Sequence, residues 1–133
     1  MLDDASDPTG ARRNFERLVS SDRVDIVIGS STSPASLALI EIAGRSKTPL
    51  ISMGASRAII QPMDENRRWV FKTPYNDATT AAATVQDMVR GQVKTVATIA
   101  IGDAYGEGWV REFRTLAEGR DPNPRQRGIW REG

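Results

Sequence analysis

Two periods of apolar and polar residues run along this chain, and they divide it into helices and strands. Ala11, Phe15, Leu18 and Val19 recur at i, i+4, i+7 and i+8, the spacing of one apolar helix face. Asp7-Pro8 marks the start of that helix, because Asp caps and Pro suits the first turn. Ser21-Asp22 marks its end. The segment 24–29 is short, β-branched and closed by Gly29, which predicts a strand. Ser33-Pro34 then opens a second helix with Ser33 as its cap. Leu37, Ile40, Glu41 and Gly44 give it a mixed face up to Arg45-Ser46. Pro49-Leu50-Ile51-Ser52 predicts a second strand, with Gly54-Ala55-Ser56 turning out of it. Residues 57–68 look irregular, and the polar cluster 64–68 is expected as a solvated loop. Trp69-Val70-Phe71-Lys72-Thr73 predicts a third strand. Asn76 or Asp77 caps a helix running to Arg90, with Ala78, Ala82, Val85 and Val89 on one side. Gly91 fits its stop. Residues 95–101 are apolar at most positions and predict a fourth, buried strand. Trp109, Phe113 and Leu116 mark a last helix.

Strands alternating with helices across short loops predict an α/β fold. The expected architecture is a Rossmann-like parallel sheet flanked by helices and built from right-handed βαβ units. Ligands on such sheets bind beyond the carboxyl ends of the strands. Three loops fall there, at 30–33, 53–56 and 102–108.

Composition narrows the chemistry. The chain has 133 residues, 18 basic against 17 acidic, with a net charge of +1. This balance argues against a nucleic-acid or membrane-surface partner. There is no cysteine and no histidine. That excludes disulfides, thiolate catalysis, zinc–thiolate sites, Ser-His-Asp triads and His-metal sites. The start, Met1-Leu2-Asp3-Asp4-Ala5, has neither the basic nor the apolar region of a signal peptide. No apolar run approaches the roughly 18 residues of a membrane span. As written, the chain is expected to stay cytoplasmic. The last fifteen residues hold three Gly, two Pro and four Arg and predict an irregular or disordered tail.

The run Ser30-Ser31-Thr32-Ser33 sets hydroxyls and backbone N–H groups at a helix N-terminus. Such a place favours an anion, and a carboxylate suits it. A phosphate would fit as well, but the glycine-rich run and Lys of a P-loop are absent. The same hydroxyls serve equally as plain helix caps. In Met53-Gly54-Ala55-Ser56, Gly54 permits close backbone approach and Ser56 supplies a donor, although both are ordinary loop residues. In 103–108, Tyr105 has a ring that can stack on a ligand, while Asp103 and Glu107 are carboxylates without an evident partner. Asp3, Asp4 and Asp7 lack the spacing of a calcium loop and are expected as solvated acids and a helix cap. No catalytic residue, metal site or cofactor is expected.

The order of these pieces resembles the periplasmic substrate-binding proteins of branched-chain amino-acid ABC transporters, the leucine/isoleucine/valine-binding type. The matching stretches begin with Asp3-Asp4-Ala5-Ser6-Asp7-Pro8. They continue through Val27-Ile28-Gly29 with Ser31-Thr32-Ser33-Pro34-Ala35, then Pro49-Leu50-Ile51-Ser52-Met53-Gly54-Ala55-Ser56. Val70-Phe71-Lys72-Thr73 and Asp103-Ala104-Tyr105-Gly106-Glu107-Gly108 complete the set. The resemblance covers about residues 3–118. It implies a type 1 periplasmic-binding fold, two lobes closing on a ligand, with no enzymatic role. Residues 1–94 correspond to an incomplete first lobe, 95–118 to the first strand–helix unit of the second, and 119–133 to the tail. By the resemblance, Ser31, Thr32, Ser33, Ala55 and Ser56 hold a ligand carboxylate. Tyr105 closes over the ligand from the second lobe, and Asp77 lies near the cleft. The implied partners are a small amino-acid or carboxylate ligand and the membrane permease of an ABC transporter, and the implied location is periplasmic.

The resemblance also sets expectations from what the chain lacks. It has no counterpart of the family's export signal, first strand and helix, or most of the second lobe, and its tail has the composition of a shifted reading frame. A truncated or frameshifted product is therefore expected, binding its ligand weakly or not at all, and self-associating through the exposed edge of the fourth strand. Two other functions compete with solute binding for an importer. One is a cytoplasmic ligand-sensing domain of the same fold; the other is a Rossmann-like enzyme acting on a nucleotide.

Overall fold

The structure is a computed structural model and describes residues 1–118; the tail expected to be irregular lies outside the described residues. The chain forms two compact units, one spanning Met1–Tyr75 and one beginning at Asn76.

In the first unit, helix α1 spans Pro8–Ser20. Asp7 caps it, its carboxylate accepting from the Gly10 N–H at 2.6 Å. The Asp3 and Asp4 carboxylates accept from the Ala5 and Ser6 N–H groups, so these acids shape the turn that leads into the helix. Helix α2 spans Ser33–Ser46 and packs along α1. Three short strands, β1 (Val27–Ile28), β2 (Leu50–Ser52) and β3 (Val70–Lys72), form a parallel sheet in sequence order. Val27 pairs with Leu50 and Leu50 with Val70; Ser52 pairs with Lys72 at the carboxyl end. The expected α/β fold with a parallel sheet flanked by helices is what the chain adopts.

One face of the sheet carries Val27, Leu50 and Val70, all buried, and joins a core with Ala11, Phe15, Leu39, Ile40, Ile42 and Ile59. The predicted stripe of α1 enters this core, with Leu18 and Val19 packed at its margin. Alternate residues of the strands, Ile28 and Phe71, point away and are exposed.

The first strand is shorter than the pattern suggested. Val24, Asp25 and Ile26 lie outside it, because a strand extends only where a neighbour supplies hydrogen bonds, and Val27 is the first residue to receive one, from its N–H to the Pro49 carbonyl. The cluster 64–68 is more than a solvated loop. Arg67 begins a 3₁₀ turn (Arg67–Trp69). Its N–H donates to the Asp64 carboxylate at 2.8 Å, its guanidinium pairs with the same carboxylate, and its Nε donates to the Ala58 carbonyl. The bond from the Arg67 N–H is the main reason the Asp64 carboxyl lies below the usual carboxylate range, despite some desolvation.

The second unit holds helices α3 (Asp77–Arg90) and α4 (Ala104–Glu118), packed on each other. The buried face of α3 is turned by about one position from the expected one: Ala81 and Val85 are buried, while Val89 is exposed. Ala81 and Val85 meet Phe113 and Ala117 of α4, with Met88, Val96, Trp109 and Leu116 around them. The Trp109 and Phe113 rings stack with centroids 5.2 Å apart. Residues 95–101, expected as a fourth strand, belong to no sheet among the described residues, none of which pairs with them as a strand.

Phe15 is 1% exposed and sits where α1, α2 and the sheet converge. Replacing it with Ala should cost about 3–5 kcal/mol, read as a lower urea midpoint with an unchanged slope.

Candidate functional site

Beyond the carboxyl ends of β1 and β2, serine side chains tie three pieces of chain together. The Gly54 N–H donates to Ser52 Oγ at 3.0 Å. Ser52 Oγ donates to Ser36 Oγ at 2.7 Å, and Ser36 Oγ donates to the Ser30 carbonyl at 3.1 Å. That carbonyl also accepts from the Met53 N–H at 3.0 Å. Ser36 and Ser52 are fully buried and Ser30 nearly so. Each hydroxyl therefore spends its one proton on a defined acceptor, as buried polar groups require. The loop after β1, the loop after β2 and the first turn of α2 become one rigid assembly.

A second set of bonds holds the next turn. The Ser56 N–H donates to Ser33 Oγ at 3.1 Å, and Ser56 Oγ accepts from the Ala58 N–H at 3.3 Å, opening a 3₁₀ turn at Arg57–Ile59. Lys72, at the end of β3, sends its ammonium to the Ala55 carbonyl at 2.5 Å, and to the Ser56 and Tyr75 carbonyls at 3.4 Å. A positive charge thus stands behind the turn. Two glycines make the layout possible. Gly29 has φ +137°, a conformation closed to side chains. A Cβ on Gly54 would stand 2.7 Å from Ile59 Cδ1 and 3.0 Å from Ser36 Oγ.

The expected cap is displaced by one residue. Thr32, not Ser33, occupies the cap position, and Ser33 is the first helical residue. Pro34 then falls at the second position, and Ser33 Oγ serves the Ser56 N–H. Thr32 makes no capping bond. Its Oγ1 is buried and without a hydrogen-bond partner. Ser31 is exposed beside it. Of the five first-unit residues read from the sequence, Ser33 and Ser56 are joined directly, Ala55 is held through its carbonyl, and Ser31 and Thr32 present unspent hydroxyls at the start of α2.

Asp77 and Tyr105 belong to the second unit. Asp77 is 2% exposed at the start of α3. Its carboxylate accepts from the Ala78 N–H at 2.9 Å and its carbonyl from Thr80 Oγ1. Thr80 Oγ1 also receives the Trp109 Nε1–H at 3.3 Å, which joins the starts of the two helices. Tyr105 is exposed at the start of α4, where the Asp103 carboxylate accepts from the Tyr105 and Gly106 N–H groups, both at 2.9 Å. Asp103, an acid without an evident partner in the sequence, is thus a helix-start group. Among the described residues no group of three His, Cys, Asp or Glu side chains is placed to hold a metal ion.

Sequence reasoning passed over Ser36, Ser52 and Lys72. The available signal was position: Ser36 lies three residues after Ser33, among the buried α2 residues, and Ser52 alternates with Leu50 on the inward face of a strand. A serine at a core position calls for an internal partner.

A parallel sheet carrying a hydroxyl-lined helix start at its carboxyl end has the layout at which open α/β sheets take ligands. A sequence model described as periplasmic binding protein matches residues 1–121, and the chain belongs to that family. It is similar to an extracellular ligand-binding receptor from Rhodopseudomonas palustris HaA2, with 44% identity and a TM-score of 0.86 over 89% of this chain and 33% of that one. Its fold is also that of a leucine binding protein from Thermotoga maritima MSB8 (23% identity, TM-score 0.78, 89% of this chain and 33% of that one). The same holds for a solute binding protein of an ABC transporter from Rhodopseudomonas palustris BisB5 in complex with 3,4-dihydroxy benzoic acid (24% identity, TM-score 0.79, 88% and 31%). The chain spans about a third of the length of these relatives. No functionally curated protein matches it. The family is one of solute-binding proteins rather than enzymes. No described helix is long and apolar enough to cross a membrane.

Ser36→Ala should remove the middle of the serine chain, leaving Ser52 Oγ without its acceptor and the Ser30 carbonyl short of a donor. The expected loss is about 1–3 kcal/mol, measured by urea unfolding, with far-UV circular dichroism unchanged.

Proposed function

We propose that the first unit is the carboxylate-recognising part of a solute-binding protein that serves an ABC importer in the periplasm. The ligand is a small carboxylate, either a branched-chain amino acid or an aromatic acid, and the protein performs no catalysis. The observation that carries this reading is the buried, unpartnered Thr32 Oγ1 at the N-terminal end of α2. Buried hydroxyls without partners are uncommon. One beside a helix N-terminus is well matched to an anionic oxygen, which the helix dipole also favours. The exposed Ser31 hydroxyl lies next to it in sequence, and the Lys72 ammonium supports the neighbouring turn.

The two relatives whose ligands are named are described with leucine and with 3,4-dihydroxybenzoic acid. Both molecules carry a carboxylate on an otherwise dissimilar body. Their likeness to this chain is one of fold, so the ligand class rests on the chemistry of the loops. Asp77 and Tyr105, within the second unit, are proposed as further ligand-binding residues. Affinity for the chain alone is expected to be weak, because tight binding of small ligands comes from enclosing most of their surface.

A titration of the chain followed by amide NMR tests the proposal. Leucine and 3,4-dihydroxybenzoate should both shift residues 31–36 and 54–56, whereas leucinamide, which lacks the carboxylate, should not. Thr32→Val, which keeps the side-chain shape, should abolish the shifts and leave the remaining spectrum intact. Equal shifts from leucinamide, or an unimpaired Thr32→Val chain, would refute carboxylate recognition at this place.

A further inference from the structure

Lys72 lies on the same face of β3 as the core residue Val70, two positions on, and pairs in register with Ser52 of the serine chain. Its ammonium donates to the Ala55 carbonyl at 2.5 Å, a short, charge-assisted bond. The Ser56 and Tyr75 carbonyls, at 3.4 Å, hold it in place. The Ala55 carbonyl and the Ser56 N–H belong to one planar peptide and point in opposite directions. That N–H donates to Ser33 Oγ at 3.1 Å. Ammonium, peptide and hydroxyl thus form one line, in which each hydrogen bond polarises the next.

The line ends on a proton that is not spent. A hydroxyl has one proton and two lone pairs. The Ser56 N–H takes a lone pair of Ser33 Oγ, and Ser33 Oγ donates to no group among the described residues. Other helix hydroxyls of this chain give their protons to the carbonyl four residues back, as Ser20, Ser46, Thr84 and Thr115 do. Ser33 is 3% exposed, and Thr32 beside it keeps Oγ1 buried without a partner.

We propose that Lys72 is a positioning residue for carboxylate recognition at the start of α2, acting through the 55–56 peptide on the Ser33 hydroxyl. The inference rests on the carboxylate reading of that place. The ammonium draws electron density toward the Ala55 oxygen and makes the Ser56 N–H a better donor. That N–H holds one lone pair of Ser33 Oγ, so the hydroxyl proton is turned elsewhere and becomes a stronger donor to an anionic oxygen. Lys72 itself stands on the far side of the peptide from Ser33, since the carbonyl it holds and the N–H that Ser33 receives point apart. Its charge therefore reaches the ligand by way of Ser33.

Three variants separate charge from shape. Lys72→Met keeps the stem and loses the charge, Lys72→Gln is neutral but keeps an N–H donor, and Lys72→Arg keeps the charge. In the ligand-free chain the Ser56 amide proton should move upfield in Lys72→Met and Lys72→Gln and return toward its place in Lys72→Arg, with far-UV circular dichroism unchanged. Titrated with 3,4-dihydroxybenzoate and followed at amides 31–36, both neutral variants should bind about three-fold more weakly, and Lys72→Arg should restore most of the loss. In a Ser33→Ala chain, which lacks the end of the line, the neutral variants should cost nothing further. An unmoved Ser56 amide, or neutral variants that bind like the unaltered chain, would overturn the role of Lys72 and leave carboxylate recognition standing. A loss equally large in the Ser33→Ala chain would also overturn it, because the charge would then act on the ligand directly. Absence of any shift at 31–36 in the unaltered chain would instead refute the carboxylate reading, and the role of Lys72 with it.

Discussion

A chain of buried serine hydroxyls holds the carboxyl edge of the first unit's sheet in shape. Strands of two or three residues make too few ladder bonds to fix the loops that follow them. Here the fixing is done by Ser52 and Ser36, which connect the Gly54 N–H to the Ser30 carbonyl through three successive bonds. The consequence is geometric. With the loops after β1 and β2 both anchored to α2, the first turn of that helix is held open at the sheet's carboxyl end. Thr32 can then sit at the cap position with its hydroxyl unspent, because Ser33 is occupied by Ser56. An unpartnered buried hydroxyl costs free energy, which the bonds around it must offset.

The first unit carries hydroxyls, a helix start and the Lys72 ammonium at the carboxyl edge of its sheet. In the second, Asp77 and Tyr105 each stand at the beginning of a helix. Its small core of Ala81, Val85, Phe113 and Ala117 gives it a rigid platform. The chain spans about a third of its solved relatives.

Much of this was legible in the sequence. The apolar period placed α1, α2 and α3 close to their observed limits, and Asp7 caps α1 with its carboxylate, while Asn76 precedes α3 without a side-chain capping bond and α4 begins at Ala104, inside the stretch read as a loop. The short runs after helices located β2 and β3. The misreadings share one cause: strand formation and helix facing are settled by neighbours, which a local pattern does not contain. Residues 24–26 and 95–101 are β-prone yet lie in no strand, because hydrogen-bonding partners define a strand. On α3 the alanines at 78, 81 and 82 are interchangeable by pattern, and only packing on Phe113 selects Ala81. At the site, the loops after β1 and β2 lie where the sequence put them, whereas 104–108, read as part of a loop after a fourth strand, form the first turn of α4. A serine exposed at a loop and a serine that braces one look alike until burial separates them, as it does for Ser31 and Ser36.

The account stands on the rigidity of the serine-braced edge, and amide hydrogen exchange measures it most directly. The Gly54 and Ser56 N–H groups lie outside every strand and helix, yet each donates to a buried hydroxyl. They should exchange as slowly as the β2 amides, and in the Ser36→Ala chain Gly54 should lose that protection. Exchange of Gly54 and Ser56 at the rate of an open loop in the unaltered chain would contradict the account.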